Sequence, residues 1–545
     1  MKKKLLILLR NYNQRLSKSK RIFFLGRWCI PFNQEKNVNL KNCNKYHWAN
    51  IKKREKDYKY LKKLYERIIP ALSKKLNKIH SKNLTEREWR LIIGHWLMIF
   101  ITKTFDSHEN LFFFLKNKMI SKIDVRFFKI KNENIISKNY FYFSYNSLND
   151  FKYNQYIYQN IILNNFKNRF NIKYAKFFSE KEKNYQEFPK VNFFLKIFKQ
   201  IINIISLYRM PKTFFELSYI NLINKFKLIV LLKNISYPPL VNDFFNSKID
   251  KKTRKEDINF NSSNKFEKFL NFNILKYLPK SYIEDFEKIY SSTSKFNTNF
   301  RKVFSTGSYI SNDYFKIWLS KIIKKGGKFF IMYHGGGIPS VHTIIHDHDN
   351  GVSNKVLVWH KAIDKKQKQM ANLVLKEKML KRKKDIILLT LEPNTSFYPV
   401  KTDSGPVSSL FLDDLEQKCN LANFLIKNNQ KLKFRITNPL VWDYNERLTQ
   451  KFGNKILDNN EKFYDALKFA KIHVSGYLST TFSESINLNV PTVGLIEKKF
   501  YYYSNKFDKL LKYFETNNIL FSDSKKLVKF LKKNNYDLEE WWRSN

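Results

Sequence analysis

At 545 residues the chain exceeds the roughly 250–300 residues at which a single core stops growing, so more than one compact domain is expected. A hydrophobic fraction of 43%, with 17% aromatics, excludes global disorder. The formal net charge of +54, from 101 Lys+Arg against 47 Asp+Glu, points to nucleic acid, anionic lipid or a phosphorylated substrate rather than to a basic partner.

The lysines are nonetheless dispersed along the chain. Its joint richness in Lys, Asn, Ile, Phe and Tyr also reads as a composition bias that merely tolerates the charge. Cys29, Cys43 and Cys419, with no CxxC pair, make neither a disulfide framework nor a zinc signature, and they fit a reducing cytosol.

In chain order, MKKKLLILLR imitates a signal peptide, but its apolar core of five residues is shorter than the about 7–15 of a secretory segment. It is read as a first β-strand. No run approaches the ~20 apolar residues of a membrane span; the longest, residues 91–101, is short and contains His95. A soluble or peripheral protein is expected. RIFFLGRWCIPF, residues 21–32, reads as a second buried strand ending at Gly26. From residue 48 to 110 the period turns helical, with Tyr58, Leu61, Leu64, Tyr65, Ile68, Ile69 and Leu72 at three- and four-residue spacing. Pro70 is expected to end or kink that helix. Thr85 to Glu88 is a capping box for a second helix through Trp89, Ile92, Trp96 and Phe100. Residues 111–300 show only short apolar runs (127–130, 161–163, 228–232) and a polar stretch, 247–265.

Residues 302–310, VFSTGSYI preceded by lysine, predict a strand and turn, and residues 312–325 an amphipathic helix that Gly326 and Gly327 end. The sharpest segment follows. KFFIMYHGGGIPSVHTIIHDHDNGVSNKVLVWH, residues 328–360, reads as a strand (329–333), His334, three glycines, a polar histidine-rich loop and another strand (355–359). Gly335, Gly336 and Gly337 lack Cβ atoms, so another molecule can approach the backbone closely. A histidine at the C-terminal end of a strand faces the place where open α/β sheets bind ligands. Residues 362–384 predict a lysine-dense helix, and residues 381–385 a domain boundary. Four short apolar strands at 385–391, 433–437, 470–476 and 490–496 then predict a doubly wound sheet, followed by a helix at 524–533.

HVSGYLSTTFSESINLNVPTVG, residues 473–494, is the second sharp signal. Ser479, Thr480 and Thr481 precede a helix, and hydroxyls with free N–H groups at a helix start form an anion site suited to a diphosphate. Glu484, one turn in, is placed to accept a sugar or ribose hydroxyl. The plain alternative is an ordinary N-cap with Glu484 in solvent. Thr395 and Ser396 either touch the same ligand or form a turn. His342, His346 and His348 with Asp347 and Asp349 have a spacing that can supply two or three metal ligands, yet polar active-site loops also collect histidines, and no metal is assigned. Trp28, Trp48, Trp89 and Trp96 are read as core.

His334-Gly335-Gly336-Gly337 after a strand, with STTFSES-x-N-x-N-x-P-T at residues 479–492, resembles the GT-B-fold transferases of bacterial surface-polysaccharide clusters. The chain is most similar to a family of transferases from O-antigen biosynthesis loci, also through FLGRWC (24–29), His47-Trp48 and the 89–96 helix. More distantly it resembles polyglycerol-phosphate and Kdo-type transferases. The resemblance implies two Rossmann-like domains facing a cleft, with extra helices in the N-terminal half: residues 1–380 on the acceptor side with helical insertions, and residues 385–545 binding the nucleotide sugar.

It also implies transfer of a sugar from a nucleotide-activated donor to a surface-polysaccharide acceptor of O-antigen type, either a glycan or a lipid-linked glycan. No metal is implied, and no cofactor beyond the nucleotide-sugar co-substrate. His334 would deprotonate the acceptor or bond the donor phosphate, and Gly335, Gly336 and Gly337 would admit substrate. Ser479, Thr480 and Thr481 would hold the diphosphate, Glu484 the ribose, and Arg435 the leaving-group charge. The loop after the glycines departs from the family, which has an acidic residue where this chain has HTIIHDHD, so no base is assigned there. The expected location is the bacterial cytoplasm, peripheral to the anionic inner membrane face. Two alternatives remain: a basic nucleic-acid-binding protein, which calls for clustered cations and interleaved aromatics, and a non-catalytic scaffold of the same fold.

Overall fold

The computed structural model describes residues 4–10, 21–118, 122–130, 135–175, 212–216, 245, 247–333, 335, 344–370, 380–391, 396–399, 405–436, 441–503 and 507–544. These form three sheets in which every paired strand is parallel. The first has the order β2-β1-β3-β4, from Leu5–Ile7 (β1), Ile22–Phe24 (β2), Ile123–Phe128 (β3) and Phe170–Ala175 (β4). The second runs in chain order through Thr213–Glu216 (β5), Lys302–Ser305 (β6), Lys328–Met332 (β7), Lys355–Val358 (β8) and Gln367–Gln369 (β9). The third has the order β11-β10-β12-β13-β14, from Ile386–Thr390 (β10), Leu432–Arg435 (β11), Ala470–Ser475 (β12), Thr492–Leu495 (β13) and Leu520–Phe521 (β14). Parallel strands covered on both faces read as unbroken apolar runs, and β10 and β13 are buried at every residue. The α/β class expected from the sequence is therefore present. Residues 1–380 contain two of the three sheets.

Two long helices join the sheets. Asn50 caps α1 (Ile51–His80) by accepting from the Lys53 amide. Thr85 and Glu88 form the expected capping box of α2 (Glu86–Lys118): Glu88 Oε2 accepts from the Thr85 amide at 2.6 Å, and Thr85 Oγ1 accepts from the Glu88 amide at 3.3 Å. Residues 89–107 of α2 are buried on every side, as befits a helix inside a large assembly of layers. Several of its buried polar groups are hydrogen-bonded. Thr104 and Ser107 donate to the carbonyls four residues back, and Asp106 accepts from the Tyr46 hydroxyl at 2.7 Å. One end of α2 packs against α3 (Asp313–Lys324) and α4 (Ile344–Val352) of the second sheet.

Buried and half-buried arginines tie the first sheet's unit to the third's. Arg54 is fully buried and donates to the Phe500 carbonyl at 3.0 Å and to the Gly405 carbonyl. Arg10 pairs with Asp443 at 3.1 Å, and Arg447 with Glu35 at 2.5 Å. Trp28, Trp48, Trp89 and Trp96 all lie in the core. Among the described residues, no helix is long and apolar enough to cross a membrane.

Three local expectations are corrected. Of an end or a kink at Pro70, the end does not occur: α1 continues to His80. A proline removes one N–H from the ladder, and the buried row Ile68, Ile69, Leu72 and Leu76 holds both sides of that gap. The histidine-rich segment is not a loop beyond residue 343, because residues 344–352 form α4. Ile345, His348, Asp349 and Val352 make its inner face, a helical spacing present in the sequence but hidden by its polarity. The lysine-dense stretch is not helical at residues 362–370. Gln367–Gln369 pairs with β8 as an edge strand, a position where lysines suit the exposed edge.

Candidate active site

The third sheet reverses direction between β10 and β12, and ligands of open α/β sheets bind outside the C-terminal ends of the strands at that switch point. Register sets Arg435, Thr390 and Ser475 at one level there. β12 then turns at Gly476, whose amide donates to the Thr390 carbonyl at 2.8 Å and whose carbonyl accepts from the Tyr501 hydroxyl at 2.7 Å. A Cβ on Gly476 would stand 2.5 Å from the Thr390 carbonyl oxygen, so only glycine fits this close approach. A buried ion pair, Lys418 with Asp414 on the Leu410–Lys427 helix, lies behind the turn.

The turn delivers the chain to α5 (Thr480–Asn487). Ser479 is its N-cap residue, with extended backbone angles, yet its side chain caps no N–H group. The Thr481 hydroxyl is buried and has no hydrogen-bond partner among the described residues. Glu484 is half-buried, and burial raises its pKa. These features depart from an ordinary capped helix with a solvated glutamate. Beneath them His473 is a core pin: Nδ1 is hydrogen-bonded to Ser485 Oγ at 2.7 Å and Nε2 to Thr390 Oγ1 at 3.0 Å, while burial pushes its pKa down to about 3.

The second motif meets the first here. Gly335 follows β7, and a Cβ built on it would lie 2.6 Å from Thr480 Oγ1. Residues of two different sheets thus touch at the N-terminus of α5. Tyr333, two residues earlier, is anchored by its amide to the Leu357 carbonyl at 2.9 Å and by its hydroxyl to Asp349 Oδ2 at 3.0 Å. His334, Gly336, Gly337, His342 and Thr395 lie outside the described residues.

Arg435 stands two strands from Ser475, about 10 Å away at the usual strand spacing. Its guanidinium is engaged by Asp458 at 2.6 Å and by the Asn460 carbonyl at 2.8 Å, so it braces residues 458–461. Ser396 is buried and accepts from the Tyr398 amide, which is the turn alternative.

The histidines of α4 diverge. His346 faces Asp364 and Gln367, each at 3.0 Å. His348 points the other way, with Nδ1 2.9 Å from the Tyr65 hydroxyl and its ring 4.3 Å from that of His95. Asp347 pairs with Lys62 at the surface. Sequence reading missed the grouping of Tyr65, Gly94, His95, His348 and Asp349. Its signal was the Gly-His pair interrupting the most apolar stretch of α2.

No curated protein matches the chain. The sequence model of the LIC12162 family transferase matches residues 6–545, which takes in all three sheets and both motifs. The chain therefore belongs to the LIC12162 family of transferases.

Proposed function

We propose that this transferase moves a sugar from a nucleotide-activated donor to a surface-polysaccharide acceptor of O-antigen type, across a GT-B-like cleft between the second and third sheets. The observation that carries this reading is the approach of Gly335, just past β7, to Thr480 at a helix start rich in hydroxyls. In this reading the diphosphate sits at the N-terminus of α5, bonded by Ser479, Thr480 and Thr481 and favoured by the helix dipole. Glu484 accepts a ribose hydroxyl. His334 takes the proton of the acceptor hydroxyl as its oxygen bonds to the anomeric carbon. The bond from that carbon to the diphosphate breaks, and the nucleotide diphosphate leaves with the electron pair. Gly335, Gly336 and Gly337 carry no Cβ atoms, which leaves room for the sugar.

The chemistry as proposed uses no catalytic metal and no cofactor beyond the nucleotide sugar. The charge of +54 suits a lipid-linked acceptor presented at an anionic inner membrane face, where each basic residue near the surface adds about 1 kcal/mol of attraction.

The test is nucleotide release from a panel of nucleotide sugars with an isolated lipid-linked acceptor. Wild type should turn over one donor. His334→Ala should lower kcat by about 100-fold or more with the melting temperature unchanged, and Gly335→Ala should lower kcat by about 10-fold, which equals ~1.4 kcal/mol of barrier. Equal turnover in wild type and His334→Ala would remove the catalytic assignment. Unchanged nucleotide affinity after replacing Ser479, Thr480 and Glu484 together would move the donor elsewhere.

A further inference from the structure

His95 on α2 and His348 and Asp349 on α4 form a closed group in the protein interior, at most 1% exposed, where the two helices pack together. One ring nitrogen of each histidine and one carboxylate oxygen of Asp349 all lie within 4.8 Å of one another. In a tetrahedral zinc site with bonds of about 2.0 Å the ligand atoms stand about 3.3 Å apart, so rotations of a side chain or two close this group around an ion. Two imidazoles and a carboxylate are a donor set for a borderline divalent transition metal rather than for magnesium or calcium.

Two further features point to a ligand. His348 is fully buried, and its Nε2 has no hydrogen-bond partner among the described residues. A buried imidazole nitrogen normally finds a partner, because leaving it bare costs about 1–3 kcal/mol. Its other nitrogen, Nδ1, is held at 2.9 Å by the Tyr65 hydroxyl. A ligating histidine is characteristically held in this way: the outer nitrogen is bonded to a second group, which fixes the tautomer and leaves the inner lone pair for the metal. Asp349 is oriented likewise, since Oδ2 accepts from the Tyr333 hydroxyl at 3.0 Å. Finally, α2 places a glycine beside His95. A Cβ on Gly94 would lie 2.5 Å from His348 Cε1 and from the Tyr65 hydroxyl, so the helix has a notch that lets the ring approach its backbone.

We propose that His95, His348 and Asp349 bind one divalent transition-metal ion of the zinc class as a structural centre. The ion joins α2 to α4 and, through Asp349 and Tyr333, braces the end of β7 just before Gly335. It lies in the core and takes no part in the transfer chemistry.

Metal content of the full-length protein, purified without chelator, should show one zinc-class ion per chain. After chelator treatment, titration with Co²⁺ should produce the visible absorption bands of a four-coordinate site at one equivalent, and Zn²⁺ should restore the original melting temperature. His348→Ala should abolish the bands, and so should Asp349→Asn, which keeps the shape of the side chain. His346→Ala, on the other side of the same helix, should leave them intact. Metal-free protein that gives no Co²⁺ bands at one equivalent overturns the proposal. So do bands that survive in a folded His348→Ala or Asp349→Asn protein.

Discussion

Gly94→Ala sets two physical effects against each other. By propensity alone the change favours the folded state, because glycine in a helix interior costs about 1 kcal/mol relative to alanine. The surroundings argue the opposite. The new methyl would stand 2.5 Å from His348 Cε1 and from the Tyr65 hydroxyl and 2.6 Å from His348 Nδ1, roughly 1 Å inside ordinary carbon contact distance. Neither neighbour can swing into solvent, since both are fully buried and bonded to each other. Overpacking costs about 1–3 kcal/mol, and losing the buried Tyr65–His348 hydrogen bond adds about 1–3 kcal/mol. Packing therefore wins, and a net loss of about 3 kcal/mol is expected.

Urea unfolding followed by tryptophan fluorescence measures it, because Trp89 and Trp96 lie on the same helix. The loss should shrink in a His348→Ala background, where the Tyr65 hydroxyl remains the close neighbour and is free of its bond to the ring, and the difference between the two backgrounds is the coupling of the pair. A midpoint that rises, or one that falls equally in both backgrounds, would refute the close approach of α4 to α2.

Two further outcomes are expected. His473, whose folded pKa of about 3 lies below the ordinary histidine value, contributes stability that is present above pH 6.5 and lost as pH falls. Between pH 7.5 and 5.5 that loss is about 1.4 kcal/mol; urea midpoints at the two pH values should show it, and His473→Gln should flatten the difference. Arg435→Met should destabilise by about 3–5 kcal/mol, because it strands the buried Asp458 carboxylate. Adding Asp458→Asn should recover most of the loss in a thermal melt. No recovery would indicate that Arg435 acts on something other than the 458–461 segment.

Periodicity made much of the fold legible. Apolar runs marked β7, β10, β12 and β13 because buried parallel strands need side chains on both faces, and Thr85 with Glu88 marked the start of α2 because a capping box is local chemistry. Where polarity and burial conflict, the same rules misread the chain. α4 hides two charged or polar residues on its inner face, and Gln367 pairs as a strand amid lysines. The middle of the chain stayed obscure because short apolar runs there fit helix and strand equally.

The sequence by itself determined the α/β class, the strand that ends before His334 and the hydroxyl-rich helix start, since each follows from neighbours a few residues apart. Only the tertiary structure decided which of these meet. Gly335 against Thr480, and His95 against His348 and Asp349, join residues from different elements, and no local spacing encodes such contacts. The same structure kept His346 away from His348, because residues two apart on a helix face different directions. It also committed Arg435 to Asp458, a partner that only the packing of the loop beside β11 could supply.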